Sequence, residues 1–413
     1  MRYIDFVDLK YKPKKSDLIC SFYLEKDEKS PLNFKELAGG VAAESSIGTW
    51  TVLTTEKPYM RRLAAKVFSI KGNDLKIAYP IDLFELDNVP NIMSSIAGNI
   101  FGLKDIKNLR LENIDFPDIL IKQFNGPEYG IPGIRKLLKV QNRPLVGTIV
   151  KPKLGLNTKD HAKVAYDAWL GGCDIVKDDE NLSSQNFNNF YERVKETLKM
   201  RDKAEKETEE KKVYMVNVTA ETNEMIKRMK FVRQHGGEYT MVDILTIGWA
   251  GLQTVRRANK DLKLVLHAHR AGHAAFTRNP KHGISMKVIA KIARLIGMDQ
   301  LHIGTAVGKM VETKSEVLEN AAACTGKFGI LKKTFPVCSG GLHPGHIPAL
   351  VEIFGKDIII QMGGGIHGHP QGTIKGAMAA RQAIDAVMKG KSLNDYSKTH
   401  KELKISLEYF NTK

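Results

Sequence analysis

The chain has 413 residues, 42% of them hydrophobic and 26% charged, with a formal net charge of +17; this excludes a disordered chain and leaves room for two domains, one a large barrel. No apolar run is long enough for a membrane helix, and the N-terminal MRYIDFVDLKYKPKKSD breaks its apolar residues with acids, lysines and a proline, unlike a secretory signal, so the expected location is cytoplasmic with no membrane partner. Cys20, Cys173, Cys324 and Cys338 stand far apart with no CxxC spacing, which argues against a disulfide framework or a thiolate zinc site and for buried thiols.

Taken in chain order, DLICSFYLE (17–25), TWTVLTTE (49–56) and LKIAYPIDLF (75–84) predict strands, and LNFKELAGGVAAES (32–45) and VPNIMSSIAGNIFG (89–102) predict helices. That mixture describes a small α+β (ferredoxin-like) domain over 1–120, ending near IKNLRLENIDFP (106–117), with the Gly- and Pro-rich 121–133 as a linker. From about 145 onward one grammar repeats: a short β-branched run, a polar or glycine cluster, then a helical stretch. The runs are LVGTIVKP (145–152), CDIVKDDE (173–180), KVYMVNVTA (212–220), YTMVDILTIG (239–248), KLVLHAHRA (263–271), QLHIGTA (300–306), FPVCSGG (335–341) and IIIQMGGG (358–365). Amphipathic segments such as HAKVAYDAWLGG (161–172), ISMKVIAKIARLIG (284–297) and TIKGAMAARQAIDAVMKG (373–390) lie between or after them. Eight such units predict a (β/α)8 TIM barrel over 134–413, with its chemistry at the C-terminal ends of the strands.

Those ends are rich in chemistry. Strand one ends in Lys151 and Lys153, strand two in Lys177, Asp178, Asp179 and Glu180, strand three in Asn217 and Thr219, and strand five in His267, His269 and Arg270. Strands six to eight end in His302 and Gly304, in Ser339, Gly340 and Gly341, and in Gly363, Gly364 and Gly365. Glycine loops after strands seven and eight suit a phosphate held by backbone N–H groups, although each alone is also ordinary turn chemistry. Arg270 and His302 suggest a second anion site across the mouth, and two such sites imply a bisphosphate.

Lys177 admits three readings. It is a plain salt bridge to the acids beside it; or a Schiff-base lysine, which the adjacent carboxylates disfavour because they stabilise the charged amine; or, with Asp179 and Glu180, part of a Mg2+ site. In the third case a neutral amine adds CO2 to become a carbamate and a third oxygen ligand. Exposing that amine by lowering its pKa roughly 3 units costs about 4 kcal/mol, so activation requires CO2 and Mg2+ together.

AAESSIGTW (42–50), IAGNIFG (96–102), KPKLGL (151–156), GGCDIVKDDE (171–180), HAHRAGHAA (267–275), HIGTAVGK (302–309), SGGLHPGH (339–346) and GGGIHGHP (363–370) together resemble the large subunit of ribulose-1,5-bisphosphate carboxylase/oxygenase (RuBisCO), archaeal form III type, nearly end to end. The resemblance implies a lyase that carboxylates ribulose 1,5-bisphosphate with CO2 to two 3-phosphoglycerate, O2 competing, in nucleotide or ribose-phosphate salvage. It implies Lys177 as the carbamylated lysine, with Asp179 and Glu180 completing the Mg2+ ligands, and Lys151, Lys153, His269 and the loop-six Lys309 as catalytic groups. Arg270, His302 and Ser339 would contact one phosphate end and nearby hydroxyls, and Gly340, Gly341, Gly363, Gly364 and Gly365 the other. Glu44, Thr49, Trp50 and Asn99 would complete the neighbouring subunit's site, so a homodimer or an assembly of dimers is implied, with no small subunit required.

Three departures from the family pattern stand out. The Lys309-to-Ser339 stretch is short, the chain ends soon after SLEYFNTK so that a long tail over loop six is not expected, and Ile149 stands where plant-type members place a threonine, with Thr148 adjacent. Two other functions compete: a RuBisCO-like protein that enolises or isomerises another sugar phosphate, which the presence of Lys151, Lys153, Lys177 and Lys309 disfavours, and a basic scaffold or nucleic-acid binder. The latter lacks any nucleic-acid module signature, and much of its lysine lies in mixed-sign stretches such as KMRDKAEKETEEKK.

Overall fold

The computed structural model describes residues 1–307 and 312–411. It contains two compact units, the first formed by Met1–Asn125, Gly272–Leu295 and Lys327–Leu331, the second by Gly126–Ala271, Ile296–Gly326 and Lys332–Lys413.

In the first unit, strands β1 (Leu18–Lys26), β2 (Lys66–Lys71), β3 (Asp74–Tyr79) and β4 (Ile106–Asp115) form an antiparallel sheet. Its helices before residue 125 are α1 (Phe34–Glu44), α2 (Val89–Ile96) and the single turn α3 (Asp118–Ile121), and two more start within its later segment Gly272–Leu295. Leu18, Cys20, Phe22 and Leu24 alternate into the core along β1, the period-two pattern of a half-buried strand. Helix α1 starts on a capping box in which Asn33 accepts the Glu36 N–H at 3.0 Å and the Glu36 carboxylate accepts the Asn33 N–H at 2.9 Å. The strand expected at 49–56 is not there. Those residues are irregular, with Trp50 81% and Val52 63% exposed, because β-branched residues become a strand only against a neighbouring ladder. The position beside β3 goes instead to β2, KVFSIK, which the sequence reading passed over.

The second unit holds the barrel. Strands β5 (Leu145–Ile149), β6 (Ile175–Lys177), β7 (Val213–Asn217), β8 (Tyr239–Asp243) and β9 (Val265–His269) are followed in the chain by the two-residue β10 (Gly283–Ile284), which itself belongs to the first unit and pairs with β4 of that unit's own sheet. Then come β11 (Gln300–His302), β12 (Phe335–Ser339) and β13 (Ile359–Gln361). β5 to β9 and β11 to β13 are parallel throughout and close on themselves, each starting inside one of the eight predicted runs. The helices that follow α3 are α4 (Gly130–Leu138), α5 (Thr158–Leu170), α6 (Phe190–Thr208), α7 (Thr222–Gln234), α8 (Gly248–Leu262), α9 (Ala274–Thr277), α10 (Met286–Ile296), α11 (Lys314–Thr325), α12 (Ile347–Phe354), α13 (Gly364–His367), α14 (Thr373–Met388), α15 (Leu393–Ser397) and α16 (Lys401–Asn411).

Ile131, Ile134 and Leu138 of α4 pack with Leu145, Ile175, Val213, Tyr239, Val265, Phe335 and Ile359, which stand at or near the strand starts, so apolar side chains plug that end. The opposite end is left to polar groups. All four cysteines are buried, and none is joined in a disulfide. Near the plugged end the Arg143 guanidinium grips Asp174 with two bonds of 2.7 Å, and Asp174 also accepts the Val146 N–H at 2.9 Å. Burial pushes the Asp174 carboxyl up, but Arg143 outweighs it and holds it below the usual carboxylate range. Replacing Asp174 by Ala leaves a half-buried guanidinium without its bidentate partner and is expected to cost about 3 to 5 kcal/mol. Urea unfolding measures this, and an unchanged midpoint would show that the pair does not hold the strands together.

Candidate active site

Strand β6 is short, and the chain leaves it through four consecutive charged residues whose side chains go different ways. Lys177 is 1% exposed. Its Nζ donates to the Asp178 carbonyl at 2.8 Å, lies 3.4 Å from Met241 Sδ and 3.7 Å from Glu180 Oε2. Burial pulls its pKa below the ordinary lysine value, against the opposing pull of Glu180, Asp179, Asp243 and Asp178. Burial wins, so the amine is closer to its neutral form than its acidic sequence context suggested.

Asp179, 1% exposed, accepts the Lys151 ammonium at 2.7 Å. Asp178 turns the other way, where Tyr214 OH donates at 2.6 Å and the Asn217 N–H at 3.0 Å. His161 Nε2 stands 3.1 Å and Arg193 Nε 3.4 Å from the same carboxylate, charge contacts rather than aligned hydrogen bonds. Burial works to raise the Asp178 pKa, but Arg193, His161 and Tyr214 hold it down at about 2. The Asn217 amide donates to the carbonyls of Glu180 and Leu182 at 3.0 Å each, which fixes the loop carrying the two acids.

Around the rest of the rim, His269 Nδ1 meets Asp243 Oδ1 at 2.6 Å and its Nε2 faces Glu180 Oε2 at 3.5 Å. Glu180 sits below its ordinary pKa: burial raises it, and Lys177 and then His269 lower it further. Lys153 is exposed, with Nζ 3.4 Å from Asn181 Oδ1. Arg270 Nη2 donates to Glu312 at 2.6 Å, while its buried Nη1 has no partner among the described residues. His302 Nδ1 bonds Ser339 Oγ at 2.6 Å, and its buried Nε2 is likewise unpartnered among the described residues. Burial, then the neighbouring His267 and His269, keep the His302 ring neutral. Arg270 Nη1 and His302 Nε2 are therefore open to an anion's oxygens.

The glycine turns serve two purposes. Gly340 and Gly341 have φ of 118° and 64°, a region closed to most side chains. At Gly363 a Cβ would stand 3.2 Å from Lys151 Cε, and at Gly365 one would stand 2.1 Å from the Leu342 carbonyl oxygen, whereas Gly364 faces open space. Lys151 therefore lies directly on the backbone of Gly363. Thr148 does not stand in for the threonine that Ile149 replaces: it is fully buried, and its hydroxyl donates to the Met362 carbonyl at 2.7 Å and meets His367 Nε2 at 2.9 Å.

Of the other sequence-predicted residues, Glu44, Thr49, Trp50 and Asn99 lie in the first unit, where Glu44 accepts the Tyr3 hydroxyl at 2.7 Å and Trp50 and Asn99 are exposed. Lys309 lies outside the described residues. The sequence reading assigned no role to Asp178, Asp243, Asn217, Glu312 or His367. Asp243 was discoverable, since it ends the one barrel strand for which no polar terminus was named. Among the described residues no group of three or more His, Cys, Asp and Glu is placed to hold a metal.

The sequence matches the profile of the ribulose bisphosphate carboxylase large chain catalytic domain over residues 130–410 and that of its N-terminal domain over residues 5–120. It is 51% identical to the ribulose bisphosphate carboxylase of Methanosarcina mazei, covering 98% of each chain, and 49% identical to that of Pyrococcus furiosus, covering 98% of this chain and 97% of that one. Among solved structures, octameric Rubisco from Pyrococcus horikoshii superposes with a TM-score of 0.96 at 46% identity, covering 100% of this chain and 97% of that one. Dimeric archaeal Rubisco from Hyperthermus butylicus does so at 0.91 and 44%, covering 98% of both.

One site residue has a pKa that makes stability depend on pH. Burial, helped by the charge of Lys151, lowers the His367 imidazole to about 4. A folded pKa below the unfolded value of about 6.5 contributes stability that is present above pH 6.5 and lost as the pH falls toward 4. The contribution is roughly 3 kcal/mol at most, because the ring is not wholly shielded from solvent. The melting temperature should therefore fall more steeply between pH 6.5 and 4 in the native protein than in His367→Gln, and parallel profiles would contradict the assignment.

Proposed function

The chain belongs to the ribulose bisphosphate carboxylase large-chain family, and from that membership we propose that the barrel mouth performs the family's carboxylation with the groups just described. The enzyme is a ribulose-bisphosphate carboxylase, with O2 as the competing substrate. The overall conversion joins ribulose 1,5-bisphosphate, CO2 and water and releases two molecules of 3-phosphoglycerate. The observation that supports the site assignment most directly is the buried Lys177 amine, with its lowered pKa, 3.7 Å from Glu180 and within the field of Asp179.

The donor set suits Mg2+, a hard cation that prefers oxygen ligands. Asp179, Glu180 and a carbamate on Lys177 would hold it. To form that carbamate the neutral amine attacks the carbon of CO2, the new N–C bond forms, and the displaced proton leaves to solvent. When bound, the ion supplies Lewis-acid polarisation of the substrate's oxygens.

Each protein group then has a task. Lys151, after giving its extra proton to solvent, draws the C3 proton as the neutral amine to form the enediolate and returns that proton later as the ammonium, and Lys153 lies beside it at the rim. His269, held by Asp243, orients the substrate and moves protons, since a histidine whose other nitrogen is bonded presents one defined nitrogen to the reaction. Arg270, His302 and Ser339 take one phosphate and nearby hydroxyls. Gly340, Gly341, Gly363, Gly364 and Gly365 take the other through backbone N–H groups. Lys309, at the family's loop-six position, stabilises the carboxylated intermediate.

The N-terminal domain, residues 1–120, supplies Glu44, Thr49, Trp50 and Asn99 to the neighbouring subunit's site. A homodimer or an assembly of dimers follows, without a small subunit, in keeping with the octameric and dimeric relatives. No helix among the described residues is long and apolar enough to cross a membrane, and the proposed setting is cytoplasmic nucleotide or ribose-phosphate salvage.

Purified protein incubated with CO2 and Mg2+ is expected to convert ribulose 1,5-bisphosphate to 3-phosphoglycerate, with chelation by EDTA abolishing turnover. Lys177→Ala should lose CO2-dependent activation and fall to background while the melting temperature stays near native. Sugar binding without phosphoglycerate formation would refute the activity, and CO2-activated turnover in Lys177→Ala would refute the carbamate.

A further inference from the structure

We propose that His367 is a positioning residue which locks the lysine of strand β5 and the glycine turn after β13 into one rigid unit. The proposal rests on the roles given above to Lys151 and to Gly363–Gly365.

The geometry is a closed circuit. From Thr148 in β5 the chain runs past the strand's end to Lys151, whose aliphatic stem packs on Gly363, where an added Cβ would lie 3.2 Å from Cε. From Gly363 the chain continues through Gly364 and Gly365 into α13, whose last residue is His367, and the His367 N–H returns to the Gly363 carbonyl at 3.1 Å. The imidazole closes the circuit by meeting Thr148 Oγ1 at 2.9 Å, three residues before Lys151.

The hydrogen bonds also assign the tautomer. Thr148 spends its hydroxyl proton on the Met362 carbonyl at 2.7 Å, so toward the ring it accepts, and Nε2 carries the hydrogen. Nδ1 is then the acceptor and takes the Thr373 hydroxyl at 3.0 Å. One neutral ring thus ties β5, α13 and the N-terminus of α14 with a fixed direction to every bond, and burial keeps it neutral. Because Lys151 rests on the same turn that offers backbone N–H groups to an anion, displacement of α13 moves the amine and the anion cradle together. A hydrophobic residue of similar size would fill the space without fixing the angle.

Small displacements of a reacting group cost rate steeply, on the order of 100-fold for about 1 Å. His367→Ala is therefore expected to lower kcat for ribulose 1,5-bisphosphate between about 10- and 100-fold and to slow exchange of the substrate's C3 proton with deuterated solvent by a similar factor. His367→Gln, which retains one donor and one acceptor, should restore both to within about threefold. Thr148→Val should lower kcat in the same direction, and Thr148→Val with His367→Ala should be no worse than His367→Ala alone, because the two act through one bond.

Native kcat and exchange in His367→Ala would overturn the proposal, as would strictly additive losses in the double variant, or a glutamine variant as slow as the alanine one. Should His367→Ala fail to fold, His367→Gln and Thr148→Val decide: a slow glutamine variant or a native-like valine variant overturns the proposal. If the native protein forms no phosphoglycerate at all, the functional reading fails instead, and the two failures are distinct.

Discussion

The site depends on the contest between desolvation and charge at Lys177. Four carboxylates act on the amine in the direction that would keep it protonated, yet its burial lowers its pKa. Water is what stabilises an ammonium most effectively, and carboxylates at 3.7 Å and beyond do not fully replace it. A more exposed lysine beside the same acids would form a salt bridge and stop there. A lysine equally buried but without the acids would have no other oxygen ligands beside it. The proposed chemistry would need both conditions at the end of one strand, where a three-residue β6 is followed by three acids.

Holding that arrangement requires neighbours that never touch substrate. Asp178 is the first acid of the run, and a strand's alternation turns it away from the mouth. There it is held by Tyr214, Asn217, His161 and Arg193, so the backbone on either side cannot rotate and Lys177 and Asp179 are kept facing the interior. The same alternation puts Thr148 on the outer side of β5, where it bonds His367 and Met362. Outward residues of the barrel strands thus set the angles of the inward ones. Buried charge carries a desolvation penalty, and here the penalty is offset by partners that also serve as positional restraints.

The barrel was legible because its strand runs are apolar, β-branched and ended by polar or glycine clusters, and the cluster at each terminus pointed to the mouth. Lys151, Lys177, Asp179, Glu180, His269, Arg270, His302 and Ser339 were readable for the same reason, as chemistry at strand ends. What could not be read depends on partners distant in sequence. TWTVLTTE has strand composition, but strand formation needs an edge to pair with, and KVFSIK holds the place beside β3. Thr148 is adjacent in sequence to the position where a threonine is missing, but the alternation of faces along β5 turns it the other way. His367 sat inside a recognised glycine motif and read as part of a turn, since nothing local shows that its ring reaches a residue 219 positions earlier. Glu312 gave no signal, as its significance lies only in the arginine it meets.

That last contact bears on how an anionic substrate is received. Two of the rim's cations are already paired, Lys151 with Asp179 and Arg270 with Glu312. A phosphate arriving at Arg270 competes with a carboxylate 2.6 Å from the guanidinium, so its net affinity is the difference between two charge-assisted interactions, and the arginine never stands uncompensated in a low-dielectric pocket. Only part of the guanidinium is engaged: Nη2 holds Glu312 while the buried Nη1 has no partner among the described residues, leaving one arm of the fork open to an incoming oxygen before the first pair has to yield. The neutral His302 beside it, bonded to Ser339 through one nitrogen, adds a directional contact without adding charge. On the proposed assignment, recognition at this end of the mouth would be governed by hydrogen-bond geometry as much as by net charge.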